Sequence, residues 1–190
     1  MSKLYFRYGC MNSGKSLFLL ASAHNFKSRG VGCMILKSSI DTRDSGVIKS
    51  RALSDEGTTC EIIDQDTDVF NYVRNVISPG CKWILVDEAQ FLTPEQVDDL
   101  ARIVDVLDVN VICYGLRTDF RTMLFPGSKR LFEIADSFEE LKATCSCGNK
   151  ASINARINSE GDIVTEGEQI DCGAEDKYIT LCRKCYNRLI

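Results

Sequence analysis

Apolar positions along the first two thirds of the chain change period from one segment to the next. Residues 4–8 read as a strand, followed by a glycine turn and a predicted helix over about 14–29. Gly30 is placed to stop that helix. Residues 31–37 read as a second strand, with Gly32 its weak point. Val69, Phe70, Val73, Val76 and Ile77 fall at helical spacing, which predicts a helix over 66–77, ended by Ser78-Pro79-Gly80. Trp83-Ile84-Leu85-Val86 is a continuous apolar run, as expected of a strand covered on both faces. Thr93-Pro94-Glu95-Gln96 has the form of a capping box with proline in the first turn. Val97, Leu100, Ala101, Val104 and Leu107 then make one helical stripe, and residues 109–114 read as the next buried strand. The alternation predicts an α/β fold, a parallel sheet flanked by helices that supply its crossovers.

The pattern changes near Glu140. Beyond it the segments are short, glycines punctuate them, and four cysteines fall in two pairs. This divides the chain into a main domain over 1–141 and a small module over 142–190. No internal repeat and no low-complexity tract interrupts either part.

Composition narrows the choice of function. The chain has 190 residues, of which 44% are hydrophobic and 26% charged, with only three prolines, so disorder is excluded as the main state. No apolar run approaches the roughly 20 residues of a membrane span. Residues 1–7 run quickly into charge, so no secretory signal is expected, and the expected compartment is reducing and cytoplasmic. The net charge of −4 argues against a nucleic-acid partner. Six of the ten cysteines, Cys10, Cys33, Cys60, Cys81, Cys113 and Cys172, are scattered and read as buried small hydrophobes. His24, the only histidine, lies in the first helix and reads as structural.

Gly9-Cys10-Met11-Asn12-Ser13-Gly14-Lys15-Ser16 fits G-x-x-x-x-G-K-S between a predicted strand and a predicted helix, the context this motif requires. Such a loop turns backbone N–H groups around phosphate oxygens, and the helix start adds unpaired donors and a positive dipole end. Lys15 would reach the β- and γ-phosphates, and the Ser16 hydroxyl would ligate magnesium. The buried strand 83–86 ends at Asp87-Glu88. Asp87 would hold the magnesium, and Glu88, one residue on, can point at an attacking nucleophile. Together these elements specify nucleoside-triphosphate chemistry.

Three clusters bear on the phosphate acceptor: Asp87-Glu88-Ala89-Gln90-Phe91-Leu92, Tyr114-Gly115-Leu116-Arg117-Thr118-Asp119-Phe120-Arg121, and Glu168-Gln169-Ile170-Asp171-Cys172-Gly173 with Tyr178 beyond it. Aromatic groups beside a catalytic acid suit a flat, mostly apolar acceptor such as a nucleobase. Taken alone, Phe91, Phe120 and Phe125 read as core packing, and Arg117, Asp119 and Arg121 as surface ion pairs. Asp41-Thr42-Arg43 follows the second strand, where a phosphate or magnesium contact would fall; alone it is a polar loop.

Cys145-Ser146-Cys147 and Cys182-Arg183-Lys184-Cys185 make two close pairs from separate segments, an arrangement suited to tetrahedral zinc; disulfides or free thiols are the alternatives. Four thiolates would leave no coordination position open, so the metal would be structural.

In these stretches the sequence resembles the type II thymidine kinases, in their bacterial and phage branch. The resemblance implies transfer of the ATP γ-phosphate to the 5′-hydroxyl of thymidine, with deoxyuridine not excluded. It implies Glu88 as general base, and residues Gly9 to Ser16 with Asp87 around the triphosphate and magnesium. Asp41, Arg43 and Gln90 would lie near the phosphates. Met11, Phe91, Leu116, Phe120, Phe125 and Tyr178 would surround the nucleoside, and Ile170, Asp171, Cys172 and Gly173 would close over the base as a lasso anchored by the zinc module. Homotetramers and inhibition by the triphosphate end product are implied as well. Two departures from the family pattern are the C-x-C pair, where many relatives have C-x-x-C, and Asn154, where some have a threonine near the base. The competing reading is a P-loop ATPase acting on nucleic acid through a zinc ribbon. It predicts a basic module, yet residues after 141 carry seven Lys and Arg against seven Asp and Glu.

Overall fold

The computed structural model describes residues 1–41, 46–50, 57–169 and 178–190. In chain order the elements are β1 (Leu4–Gly9), α1 (Lys15–Ser28), β2 (Gly32–Ser38), the short pair β3 (Val47–Ile48) and β4 (Thr58–Thr59), β5 (Glu61–Ile63), α2 (Val69–Val76) and β6 (Cys81–Asp87). A 3-10 turn (Ala89–Phe91), α3 (Pro94–Leu107), β7 (Asn110–Leu116), α4 (Pro126–Ile134) and β8 (Ser137–Leu141) follow. Beyond them come β9 (Ala143–Thr144), β10 (Lys150–Ala151), β11 (Ile153–Ile157), β12 (Ile163–Val164), β13 (Tyr178–Leu181) and α5 (Arg183–Tyr186).

The main sheet has six strands in the order β5-β2-β6-β7-β1-β8, every pairing parallel. Period-2 alternation sends neighbouring side chains to opposite faces. Ile84 and Val86 of β6, with Val111 and Cys113 of β7, join Val73 of α2, Leu100 of α3 and Leu131 of α4 in one buried core. Leu85, Ile112 and Tyr114 face the other way, onto Leu19 and Leu20 of α1. The apolar runs that predicted strands covered on both faces are therefore the two central strands. No helix among the described residues is long and apolar enough to cross a membrane.

The predicted elements are present with small shifts at their ends. Helix α2 starts at Val69 rather than 66, because the Asp68 carboxylate caps it by accepting the Asn71 N–H at 2.9 Å. The capping box is complete: Gln96 N–H donates to Thr93 Oγ1 and Thr93 N–H to Gln96 Oε1. Gly30 takes φ +69 directly after α1. Of the scattered cysteines, Cys10, Cys81 and Cys113 are buried, whereas Cys33 and Cys60 are half-buried, at a strand irregularity in β2 and beside the edge strand β5. Burial pushes the thiol pKa of all five upward. Cys172 lies outside the described residues. His24 is exposed on α1.

Residues after Leu141 build the antiparallel pair β9–β10 and a three-stranded sheet, β12-β11-β13. Their small core contains Ile153, Leu181, Cys145 and Tyr186, and also Cys10 from the loop after β1.

Candidate active site

Strand β1 ends at Gly9, where a Cβ would come within 2.4 Å of Ser13 Oγ and 2.5 Å of the Leu141 carbonyl, so only glycine fits. The chain then turns through Asn12 (φ 58) and Gly14 (φ +81), left-handed positions that Asn and Gly tolerate. Helix α1 begins at Lys15 with Gly14 as its N-cap and no side-chain cap, leaving its dipole and first-turn donors facing the loop. Ser13 Oγ is buried and finds no hydrogen-bond partner among the described residues. Lys15 is buried, and its Nζ donates to the Cys10 carbonyl at 2.8 Å. A loop with left-handed turns, an orphaned hydroxyl, a buried ammonium and a free helix start fits a triphosphate.

Parallel pairing of β2 with β6 sets Lys37 beside Asp87. Asp87 is 5% exposed. Burial pushes its pKa up to about 7, with the neighbouring Glu88 charge adding to the rise; a Glu88 backbone hydrogen bond, Lys15 and Lys37 oppose it. A carboxylate this poorly solvated suits a hard cation with oxygen ligands, and Ser16 opens the adjacent helix. Lys37 also closes on Asp41 at 3.0 Å, an ion pair buried at both ends. Asp41 thus lies at this end of the sheet; Arg43 lies outside the described residues.

Glu88 adopts φ 50, unusual for a residue with a side chain, and the 3-10 turn follows at once. Gln90 is buried behind it. Its Nε2 donates to Glu88 Oε2 at 2.6 Å, and its Oε1 accepts the Leu116 N–H at 2.9 Å. One side chain so ties the acid to the end of β7. Gly115 and Gly127 allow this packing, since a Cβ at either would strike Gln90 or the backbone of the 3-10 turn. Ser128 Oγ donates to the Leu116 carbonyl.

On the acceptor side, the rings of Phe91 and Phe125 meet edge to face, with centroids 5.8 Å apart. Phe120 is buried, with Arg156 and Arg121 guanidinium groups 5.4 and 5.7 Å from its ring centre. Asp119 is not a surface ion pair, because its side chain is fully buried. Its carboxylate accepts from Arg121 Nε and a terminal guanidinium nitrogen, from Met123 N–H at 2.9 Å and from Gln169 Nε2 at 3.0 Å. Arg117 reaches the Ser152 carbonyl. Tyr178 opens β13 opposite Arg156. Met11 N–H donates to Asn154 Oδ1 at 2.8 Å. Ile170, Asp171, Cys172 and Gly173 lie outside the described residues.

The four paired cysteines converge: the Sγ atoms of Cys145, Cys147, Cys182 and Cys185 all lie within 4.8 Å of one another. Cys147 and Cys182 sulfurs are 3.6 Å apart, and tetrahedral thiolates on zinc would be about 3.8 Å apart. The C-x-C pair works because the turn is tight, with Gly148 N–H bonded to the Cys145 carbonyl and Cys145 N–H to that of Asn149. Asn149 donors pull the Cys147 thiol down to about 6, and backbone donors lower Cys145, while donating to Cys147 pushes Cys185 up to about 12. Four sulfur donors gathered this closely fit a four-thiolate metal site.

A family model described as thymidine kinase matches residues 2–186. The chain belongs to the thymidine kinase family. Its relatives include the thymidine kinase of Enterobacteria phage T4, 47% identical over all of this chain and 97% of that one. That of Ruegeria pomeroyi is 45% identical, over 97% of this chain and 93% of the relative. Among solved structures, the Pif1 helicase from Candida albicans matches 74% of this chain and 36% of its own, at 12% identity and a TM-score of 0.43, too slight a likeness to bear on function.

Of the residues expected from the sequence, Gly9, Asp87 and Leu116 end β1, β6 and β7 of the main sheet, and Tyr178 opens β13 of the smaller one; Arg43 and residues 170–173 lie outside the described residues. The sequence reading gave no role to Lys37, Ser128 or Arg156 and did not foresee the bonds of Asp119. Ser128 follows Gly127, a close approach visible only in three dimensions. Asp119 and Gln169 stand 50 positions apart, beyond any local pattern.

Proposed function

We propose that this member of the thymidine kinase family transfers the γ-phosphate of ATP to the 5′-hydroxyl of thymidine. Gly9 to Ser16 bind the triphosphate, Lys15 compensates its charge, and Ser16 and Asp87 hold magnesium. The magnesium that Ser16 and Asp87 would hold would supply charge neutralisation on the triphosphate. Glu88 accepts the proton of the 5′-hydroxyl as it attacks, and Gln90 fixes the direction of that carboxylate. Asp41 and Arg43 contribute near the phosphates, whereas Gln90, expected there from the sequence, has its amide taken up by Glu88 and the Leu116 N–H and serves the general base instead. Met11, Phe91, Leu116, Phe120, Phe125 and Tyr178 enclose the nucleoside, and residues 170–173 cover the base and exclude water as a competing acceptor. Zinc held by Cys145, Cys147, Cys182 and Cys185 would anchor that segment. We divide the chain into a kinase domain over 1–141 and a module over 142–190, and read the assembly as a cytoplasmic homotetramer with no nucleic-acid or membrane partner.

The observation that carries this reading is Glu88, next to buried Asp87 at the end of β6, bound through Gln90 to the strand that leads into the aromatic loop. Position and charge compensation are what phosphoryl transfer demands of a protein. The test is labelled ATP and magnesium with each of the four deoxynucleosides. Labelled monophosphate from thymidine is expected; phosphate released only to water would contradict the assignment.

A further inference from the structure

Asn154 is the second residue of β11, between Ile153 and Ala155 of the module's core, and is 4% exposed. A buried carboxamide needs partners for both ends. Both are main-chain groups from elsewhere in the fold. Oδ1 accepts the Met11 N–H at 2.8 Å, and Nδ2 donates to the Thr118 carbonyl at 3.3 Å. One partner can only donate and the other only accept, so the amide has a single orientation.

The Met11 N–H and the Cys10 carbonyl are opposite ends of one peptide unit. That carbonyl accepts from Lys15 Nζ at 2.8 Å and from the Ser13 N–H at 3.3 Å. A peptide plane is rigid, so turning its N–H turns its carbonyl as well. Cys10 is meanwhile packed among Ile153, Leu181 and Cys182 of the module. The plane that holds the lysine is therefore gripped by the module twice, by a hydrogen bond to its nitrogen and by packing on the preceding side chain.

We infer that Asn154 is a positioning residue for Lys15, acting through the Cys10–Met11 peptide, so that the cysteine module sets triphosphate affinity as well as supporting the nucleoside side. This inference rests on the proposed triphosphate role of residues 9–16. The register supports the link: Asn154 pairs with Thr180 on β13, and β13 ends next to Cys182. A module tied only to the nucleoside would need no buried bond to the phosphate loop.

The test is a double-mutant cycle read by binding of magnesium and a non-hydrolysable ATP analogue. Asn154→Leu keeps the branched outline of the side chain and removes both hydrogen bonds. It should weaken analogue binding by roughly tenfold, with metal content and circular dichroism unchanged. In a Lys15→Met background the same substitution should add almost nothing, because its route through the lysine is gone. Equal losses in both backgrounds, or no loss in either, would overturn the inference. Lys15→Met binding the analogue as tightly as the unaltered protein would instead contradict the phosphate loop itself. Amide exchange at Met11 in the unaltered protein gives a reading that needs no variant. Slow exchange is expected, and exchange as fast as in an unstructured peptide would overturn the inference.

Discussion

Gln90 Nε2 donates to Glu88 Oε2 across 2.6 Å, and the same side chain accepts the Leu116 N–H on its other end. Glu88 stands at φ 50, a conformation that a side chain disfavours and that its surroundings must enforce. The acid is thus aimed by a buried amide rather than left to sample rotamers. Gln90→Leu should lower kcat roughly 10- to 100-fold while leaving ATP-analogue binding within about twofold, since the loss falls on the aim of the base. The orphaned Leu116 N–H should also cost about 1–3 kcal/mol of stability. Steady-state kinetics and denaturant unfolding separate the two effects. A large loss of nucleotide affinity with unchanged kcat would place Gln90 on the phosphates instead.

The buried carboxyl of Asp87 makes stability depend on pH. Its pKa rises on folding from 3.8 to about 7. Below about pH 4 both states carry the proton and nothing is lost. Between about 4 and 7 the unfolded chain releases its proton first, so the folded state loses ground as pH rises, and above about 7 the penalty is complete. Asp87→Asn should therefore stabilise the nucleotide-free protein by a few kcal/mol at pH 8, and the gain should vanish towards pH 4. Thermal or urea unfolding of both proteins across that range checks it. A gain independent of pH would show that the charge is not its source.

Asp119 gathers Arg121, the Met123 N–H and Gln169 on one carboxylate with no exposed side-chain surface. Removing it leaves those donors without an acceptor and frees the loop that carries Phe120. Asp119→Ala should raise the KM for thymidine about tenfold or more, with a smaller change for ATP, and should destabilise the fold by about 3–5 kcal/mol. Kinetics with each substrate varied in turn gives the comparison. Equal effects on both substrates would mean that Asp119 serves the fold alone.

The four-cysteine cluster predicts one zinc per chain. Cys182→Ser removes a ligand and also the sulfur that accepts the Cys185 N–H at the start of α5. Metal content should fall to well under one equivalent, and amide protection should be lost across β11 and β13 before it is lost in the main sheet. Elemental analysis with hydrogen exchange tests this. Full protection in the metal-free protein would remove the structural role.

Much of the site was legible because its chemistry is local. Residues 9–16 hold their spacing within one turn, and Asp87-Glu88 simply ends an apolar run. Strands β6 and β7 announce themselves because both faces are buried. Strand β8 does not: Ser137-Phe138-Glu139-Glu140-Leu141 pairs only with β1 at the sheet's edge, and Phe138 and Glu139 stay exposed. Helix α4 is short, and few of its residues are buried. Asn154 offered a faint signal, a polar residue between Ile153 and Ala155, but its partners lie 143 and 36 positions away. Such bonds follow from the strand order and register, which no single segment encodes. The left-handed backbone of Glu88 is equally silent in a sequence that places no glycine there.

The central claim is that Glu88 takes the proton of the attacking hydroxyl in a site that grips the triphosphate independently of it. Single-turnover transfer from γ-labelled ATP to thymidine, measured for the unaltered protein and for Glu88→Gln, tests this most directly. The account predicts labelled thymidine monophosphate from the former. It predicts transfer slowed about 10²–10⁴-fold in the latter, with ATP-analogue affinity unchanged. Transfer by Glu88→Gln at a rate close to that of the unaltered protein would contradict it.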